Sequence, residues 1–381
     1  MGMVGGGPGA FIGETHRRAA RLDGIELVAG VFSTDPEKNR EQGRALRLSL
    51  DRVYRDYQEL IQREQRLPEE NRIDFVTLAT PNHLHLPMAR DFLEAGFHVV
   101  CDKPLALNLA EGLELRRVVQ TTGKVFVLTH NYVGYPMVKL ARDLVQLGKL
   151  GKLRKAVVEY QQGWLATEAA KSKQAEWRSD PRRNGVAGAM ADIGTHAFHL
   201  AEYVAGIHVE HVCAELNAFG EGRMLDDDGS VLLRFAGGAR GLLHASQISI
   251  GQENRLCLQV YGERCSLEWR QEDPNYLRVM EGARPAAIWS RGQAYVADIS
   301  PAAARASQLP GGHVEGFTEA FANIYRNGAD TIRAALTGEP PDDLALDFPT
   351  VEDGVRGLAF LEAVVENARG QNKWTRIPQI L

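Results

Sequence analysis

The sequence predicts two domains, a parallel, doubly wound α/β domain followed by an α+β domain. Three observations carry this. The 381 residues exceed what one hydrophobic core usually organises. The first 130 or so repeat strand, polar turn and helix, the grammar of parallel βαβ units. After about Leu150 that alternation stops, and several strands follow one another with hairpin punctuation, as in an antiparallel sheet. The boundary is placed to give domains of 1–130 and 131–381.

Composition narrows the function classes. Hydrophobic residues make up 44 % and charged residues 24 %, as in ordinary globular proteins. Net charge is −5 and basic residues are scattered, so no nucleic-acid footprint is expected. No apolar run reaches the roughly 18 residues of a membrane helix. The amino terminus lacks the basic and apolar regions of a secretory signal. Cys101, Cys213, Cys257 and Cys265 show no CxxC spacing. They read as buried thiols in a reducing compartment, which places the protein in the cytoplasm.

Met1 to Gly13 runs M-G-M-V-G-G-G-P-G-A-F-I-G. Glycines let backbone amides approach a phosphate, and a following helix start stabilises the anion. A helix over Glu14 to Leu22 follows. Gly5 and Gly7 supply the first two glycines of a G-x-G-x-x-G fingerprint, and the third is either replaced by Ala10 or delayed to Gly13. Only four residues precede Gly5, short of the usual five or six or so in a strand. Native residues upstream of Met1 are therefore expected.

Ile25 to Phe32 is the second strand. Asp35 with Pro36 behind it signals a helix cap. An acid ending this strand would bind ribose hydroxyls. Here Ser33 comes first past the strand, and Ser33, Thr34, Lys38 and Arg40 could instead accept a 2′-phosphate. The third strand, Ile73 to Thr80, runs into Pro81-Asn82-His83-Leu84-His85 and another helix. Two histidines without a nearby carboxylate or cysteine do not suggest a metal. The fourth strand leads from Phe97 to Cys101 and ends on Asp102-Lys103-Pro104, at the strand end where open α/β sheets bind ligands. A lysine there can donate to a substrate oxygen. A helix over Asn108 to Gln120 and the strand Lys124 to Thr129 complete the domain and end at His130-Asn131-Tyr132.

In the second half, Ala156 to Tyr160 is a strand, Gly163 to Met190 a polar loop and Ala191 to Val204 a helix. Strands follow over Glu210–Ala218, Ser230–Phe235, Arg240–Ile248, Arg255–Tyr261 and Ser266–Trp269, with Gly237-Gly238 and Gly262-Glu263 as turns. Helices over about Val314–Leu336 and Val351–Ala368 close the chain. On the helix after the loop, Asp192 and His196 are i and i+4 and share a face. A histidine is suited to take a proton near neutral pH. The pair also fits a salt bridge or, with His199, a divalent metal site.

Together these motifs resemble one family. The glycine turn, Thr80-Pro81-Asn82-x-x-His85, Asp102-Lys103-Pro104, Trp177-Arg178 and Gly188-x-x-x-Asp192-x-Gly194-x-His196 occur in the order of the glucose–fructose oxidoreductase and inositol dehydrogenase family (Gfo/Idh/MocA). The resemblance spans nearly the whole chain. It implies a Rossmann domain, then an α+β domain with a large, mainly antiparallel open sheet. It also implies hydride transfer between NAD or NADP and a secondary alcohol or ketone carbon of a sugar, cyclitol or related polyol. Lys103, Asp192 and His196 map to its catalytic residues, with Asp102 in place of the usual glutamate and no metal. Gly5, Gly7, Phe11, Ile12, Ser33, Thr34, Lys38, Thr80, Pro81, Asn82, His85, Asp102, Lys103, Asn131, Trp177 and Arg178 map to cofactor contacts. Lys103, Tyr132, Asp192 and His196 map to the substrate. Ser33 in place of the usual acid gives a lean to NADP. Two rivals share the fold, an NAD-dependent glycoside hydrolase and a dinucleotide-binding sensor without turnover.

Assembly follows from the second sheet. Val231, Leu233 and Phe235 point to one side, Leu232 and Arg234 to the other. Apolar residues on both faces predict a homodimer or homotetramer through the open face.

Overall fold

The computed structural model describes residues 1–166 and 184–380. Trp177 and Arg178 lie outside the described residues. The chain divides into two units. The first holds Met1–Ala106, Ala110–Thr129 and Phe321–Gly354; the second holds Leu107–Leu109, His130–Ala320 and Val355–Leu381. Phe321–Gly354, which the sequence reading put in the later domain, thus groups with the first unit.

The first unit is built on five parallel strands, β1 (Gly2–Gly5), β2 (Ala29–Val31), β3 (Phe75–Ala79), β4 (His98–Cys101) and β5 (Phe126–Leu128). Their order is β2-β1-β3-β4-β5. β3, β4 and β5 are buried along their whole length, as strands covered on both faces must be. The connecting helices include α1 (Phe11–Leu22), α2 (Pro36–Ala45), α3 (Tyr57–Glu64), α4 (His85–Glu94) and α5 (Leu109–Thr122). β2 is shorter than the expected Ile25 to Phe32. Its ladder with β1 starts at Ala29 opposite Gly2, and before that Met1 holds the segment by two backbone bonds, accepting the Val28 amide at 3.0 Å and donating to the Glu26 carbonyl at 2.6 Å.

The core of this unit carries a polar thread. Tyr325, from the helix Phe317–Thr337, meets His16 Nδ1 at 2.8 Å and Thr77 Oγ1 at 3.0 Å through its hydroxyl. His16 is fully buried. Burial pushes its imidazole down to about 4, against the opposing charge of Asp102. His98 is also pushed down to about 4 by burial, and its Nδ1 accepts the Val125 amide at 2.9 Å.

The second unit carries a nine-stranded sheet. Its strands are β6 (Leu153–Gln161), β7 (Val209–Asn217), β8 (Asp228–Phe235), β9 (Arg240–Ser246), β10 (Arg255–Gly262), β11 (Ser266–Arg270), β12 (Tyr276–Met280), β13 (Ala287–Ser290) and β14 (Thr375–Arg376). The order is β13-β12-β11-β10-β6-β9-β8-β7-β14. β6 and β9 run parallel, and the other described pairs are antiparallel. Gly237 and Gly238 form the β8–β9 turn at φ 72° and 98°, a region open to glycine at no steric cost. Helices α6 (Pro136–Gln146) and α7 (Thr195–Ala205) pack together, and α7 lies against β6. Burial alternates as a one-sided sheet requires. Val231 and Leu233 are buried, while Leu232 between them is 48 % exposed. β12, β13 and β14 were not foreseen. Thr375–Arg376 is too short to show a period, and Ala287–Ser290 is exposed over its first two residues and buried at none.

The buried histidines set a pH dependence. Folded His16 stays neutral down to about 4, while the unfolded chain protonates it below its ordinary 6.5. Within that window the unfolded state holds more protons, so stability is full above it and falls as the pH drops through it. His98 acts in the same direction. Thermal melts at pH 7 and pH 5 should show this loss, and His16→Asn, which keeps an acceptor for Tyr325, should reduce it. An identical pH slope in the variant would contradict the assignment.

Candidate active site

The glycine turn is set by space. A Cβ on Gly5 would stand 2.2 Å from the Ala79 carbonyl oxygen, and one on Gly7 2.2 Å from that of Phe32. Gly13 sits against Gly6, where a Cβ would come within 2.2 Å of the Gly6 Cα. Gly13 therefore fills the third glycine's role of close helix–strand packing, and Ala10 is the residue before α1. Arg17 Nη1 donates to the Gly6 carbonyl at 2.8 Å and pins the turn. Phe11 opens α1 and is 66 % exposed, with Ile12 behind it partly buried in the cluster around Met3 and Phe32.

At the end of β2, Asn39 Oδ1 accepts the Phe32 amide at 2.7 Å, and its Nδ2 donates to the Tyr54 carbonyl at 2.7 Å. This fixes where Ser33 emerges. Ser33 Oγ accepts the Asp35 amide at 3.1 Å. The Asp35 carboxylate accepts the amides of Glu37 at 3.0 Å and Lys38 at 3.2 Å, the capping role expected of it. Thr34 and Lys38 are exposed beside it.

The ends of β3 and β4 are locked together by His85. Its Nδ1 lies 2.8 Å from the Pro104 carbonyl oxygen and its Nε2 2.9 Å from that of Thr80. The ring is fully buried, and burial pushes it down from its ordinary value, with Asp102 and the two carbonyls opposing. His85 is thus a strut between the Thr80-Pro81-Asn82 turn and the Asp102-Lys103-Pro104 turn. Asp102 Oδ1 accepts from Thr129 Oγ1 and from the Lys103 amide, both at 2.9 Å. That carboxylate anchors the backbone that carries Lys103, and Lys103 itself is half-buried. Asn82 is buried, Pro81 partly so. The Thr80 hydroxyl is buried and finds no partner among the described residues.

In the second unit, Asp192 lies in a π turn, Met190–Gly194, that runs into α7. The regular i, i+4 register expected for Asp192 and His196 is widened there, a distortion often found at functional sites. Asp226 holds the turn's start by accepting the Gly188 amide at 2.6 Å and the Met190 amide at 2.7 Å. Gly188 and Gly194 are required by space, since their Cβ atoms would stand 2.1 Å from the Asp226 carbonyl oxygen and 2.3 Å from Met190 Sδ. His196 is buried, with its Nδ1 3.3 Å from His130 Nδ1. The Tyr132 ring stands edge-on to it at 4.8 Å.

A hydrogen-bonded series runs from there. The Tyr132 and Tyr160 hydroxyls bond each other. Tyr160 Oη and Gln162 Nε2 both donate to Asn254 Oδ1 at 2.8 Å. Trp164 Nε1 donates to Gln162 Oε1 at 3.0 Å, and Gln247 Nε2 to Asp192 Oδ2 at 2.8 Å. Burial pushes both phenols up, so neither serves as a phenolate base at neutral pH. Asn131 is buried, and its Nδ2 finds no partner among the described residues. The sequence reading named Asn131, Tyr132, Asp192 and His196 but missed His130, Tyr160, Gln162, Gln247 and Asn254. Tertiary packing at the strand ends and beside α7 gathers those residues, and no local spacing marks them.

The first unit suits a dinucleotide. The glycine turn leaves backbone room that any Cβ would fill, α1 starts directly behind it, and the Thr80 hydroxyl awaits a partner. Among the described residues no group of three or more His, Cys, Asp or Glu could hold a metal ion.

Comparison with known proteins agrees. Residues 1–130 match the family model "Oxidoreductase family, NAD-binding Rossmann fold". Residues 138–268 match "GFO/IDH/MocA C-terminal domain". The uncharacterized oxidoreductase YfiI of Bacillus subtilis (strain 168) is 30 % identical over 98 % of this chain and 95 % of its own. An inositol dehydrogenase homolog from Azotobacter vinelandii, solved with NADH and myo-inositol, superposes with TM-score 0.90 at 32 % identity, over 98 % of this chain and 96 % of that one. Levoglucosan dehydrogenase of Pseudarthrobacter phenanthrenivorans (strain DSM 18606 / JCM 16027 / LMG 23796 / Sphe3) is 25 % identical over 100 % of this chain and 98 % of its own. With both halves matched in order, the chain belongs to the Gfo/Idh/MocA family of NAD-binding oxidoreductases.

Proposed function

We propose that this protein transfers hydride between a nicotinamide dinucleotide and a secondary alcohol or ketone carbon of a sugar, cyclitol or related polyol. The observation that carries the reading is the series of hydroxyl and amide groups from Tyr132 to Gln247, tied to Asp192 and set beside a buried imidazole. Neutral donors and acceptors in sequence suit a substrate with several hydroxyls. Relatives solved with myo-inositol or acting on levoglucosan support the class.

In the oxidation direction His196 removes the hydroxyl proton. Lys103 donates to the same oxygen and stabilises its growing negative charge. Asp192, oriented by Gln247, positions a neighbouring hydroxyl, and Tyr132 packs beside the substrate. The bound nicotinamide supplies the hydride acceptor or donor. Gly5, Gly7, Phe11 and Ile12 would face the phosphates, Ser33, Thr34 and Lys38 the ribose, and Thr80, Pro81, Asn82, Asp102 and Asn131 the nicotinamide end. Trp177 and Arg178, outside the described residues, would join them as the motif implies, and His85 supports the Thr80-Pro81-Asn82 and Asp102-Lys103-Pro104 turns. The four thiols are free, in keeping with the cytoplasm.

Initial rates of dinucleotide reduction across sugars, anhydrosugars and cyclitols should reveal a substrate. With it, Lys103→Ala and His196→Ala should each lower turnover by about 10²-fold or more, while His196→Ala still binds dinucleotide. Near-normal turnover in either variant would reject the assignment.

Cofactor choice leans to NADP, because Asp35 is engaged as a helix cap and Ser33, Thr34 and Lys38 would be the groups offered to a 2′-phosphate. Titration of both dinucleotides should show NADP binding at least comparably to NAD. A preference for NAD above about 100-fold, roughly 2.7 kcal/mol, would make Asp35 the ribose ligand instead.

The outward row Leu232–Leu242–Val157 crosses three paired strands, and all three side chains are at least partly exposed. Pairing of this face between subunits would cover it. Light scattering should give a multiple of the single-chain 42.0 kDa; a mass near that value would show that the protein is a monomer.

A further inference from the structure

His130 has no part in the roles assigned above, yet its ring meets the proposed base directly. Its Nδ1 lies 3.3 Å from His196 Nδ1, and both rings are at least nine-tenths buried. We propose that His130 is a positioning residue that accepts the Nδ1 proton of His196 and so leaves Nε2 of that ring as the basic nitrogen. The proposal rests on His196 being the base of the preceding section.

Proton placement decides which nitrogen of His196 is basic. Two neutral imidazoles joined Nδ1 to Nδ1 share a single proton. If His130 holds it, His196 carries its own proton on Nε2 and spends its lone pair on the bond, so it has no basic nitrogen left. If His196 holds it, Nε2 carries the lone pair and is the basic nitrogen of the ring. In the reaction the hydroxyl proton passes to Nε2 of His196, the Nδ1 proton stays in place, and His130 remains a neutral acceptor.

The surroundings favour charge on His196 rather than on His130. His130 stacks on His199 with centroids 4.7 Å apart and planes at 21°. Tyr203 stands beyond His199 at 6.2 Å. Its hydroxyl receives Lys139 Nζ at 3.4 Å and Arg142 Nη1 at 2.6 Å. Asp143 is the carboxylate beside Arg142, at 2.7 Å. A proton on His130 would face that cationic end. On the other side Tyr132 and Tyr160 stand by the His196 ring, at 4.8 and 6.4 Å. The Asp192 carboxylate acts on both phenols and favours a cation there. The bond to His130 is then stronger once His196 is protonated, because its donor is charged.

Two variants and one direct observation test this. His130→Leu removes the acceptor, and His130→Asn keeps a short polar group near the position of Nδ1. With the fastest polyol of the substrate panel, His130→Leu should lower kcat about tenfold or more and leave KM within about threefold. The acid limb of its kcat/KM profile should move to lower pH by about half a unit, and His130→Asn should recover most of both. Wild-type kcat and profile in His130→Leu, or equal loss in the two variants, would overturn the proposal. Neutron diffraction of the wild-type protein above pH 7 decides it without any variant. A deuteron on His196 Nδ1 supports the proposal, and one on His130 Nδ1 overturns it. An inactive His196→Ala beside a normal His130→Leu removes only this inference. An active His196→Ala removes the base itself and the inference with it.

Discussion

A fully buried imidazole between two backbone carbonyls governs the geometry of the first unit's ligand edge. His85 reaches the Thr80 carbonyl on one side and the Pro104 carbonyl on the other. Those oxygens belong to the turns that end β3 and β4. The neutral ring carries a single N–H, so without it one of these carbonyls would lose a buried hydrogen-bond donor, which costs on the order of 1–3 kcal/mol, and the packing that spaces the two turns would go with it. Asp102 adds the second tie through Thr129 and its neighbour's amide. Lys103 therefore leaves a backbone held from both sides, so an exposed-looking Asp-Lys pair is a preorganised one.

The second unit reaches the same end by other means. A π turn cannot be held by regular helix bonds alone, and Asp226 takes up two of the amides that its start leaves over. Burial pushes the Asp226 carboxyl up while those two amides pull it down. Gly188 and Gly194 are glycines because backbone and sulfur occupy the space of a side chain. Asp192 is fixed by Gln247 and His196 by His130. Asp192 and His196 thus each have a partner from another element, which is what orientation to a fraction of an ångström demands.

Much of this was legible in the sequence because the signals were local. Strand, turn and helix alternate through the first 130 residues or so, and the parallel sheet follows from that alternation. The capping role of Asp35 and the hairpin at Gly237-Gly238 were likewise visible in two or three residues. Other features depend on tertiary contacts. The widening at Asp192 comes from Asp226, more than 30 residues away in sequence. Nothing near His130 marks it as the neighbour of His196. Tyr325 joins His16 and Thr77 in the first unit although it lies some 300 residues after the first of them, so the segment from Phe321 could not be assigned by its place in the chain.

The proposed chemistry is hydride transfer from a carbon that bears a hydroxyl, with His196 as the base. It is tested most directly with ring-deuterated polyols such as myo-inositol, glucose and levoglucosan. One of them should deliver its deuterium to the reduced dinucleotide in a single position, at a rate that collapses in His196→Ala. Turnover that leaves the deuterium on the sugar or releases it to water would contradict the account.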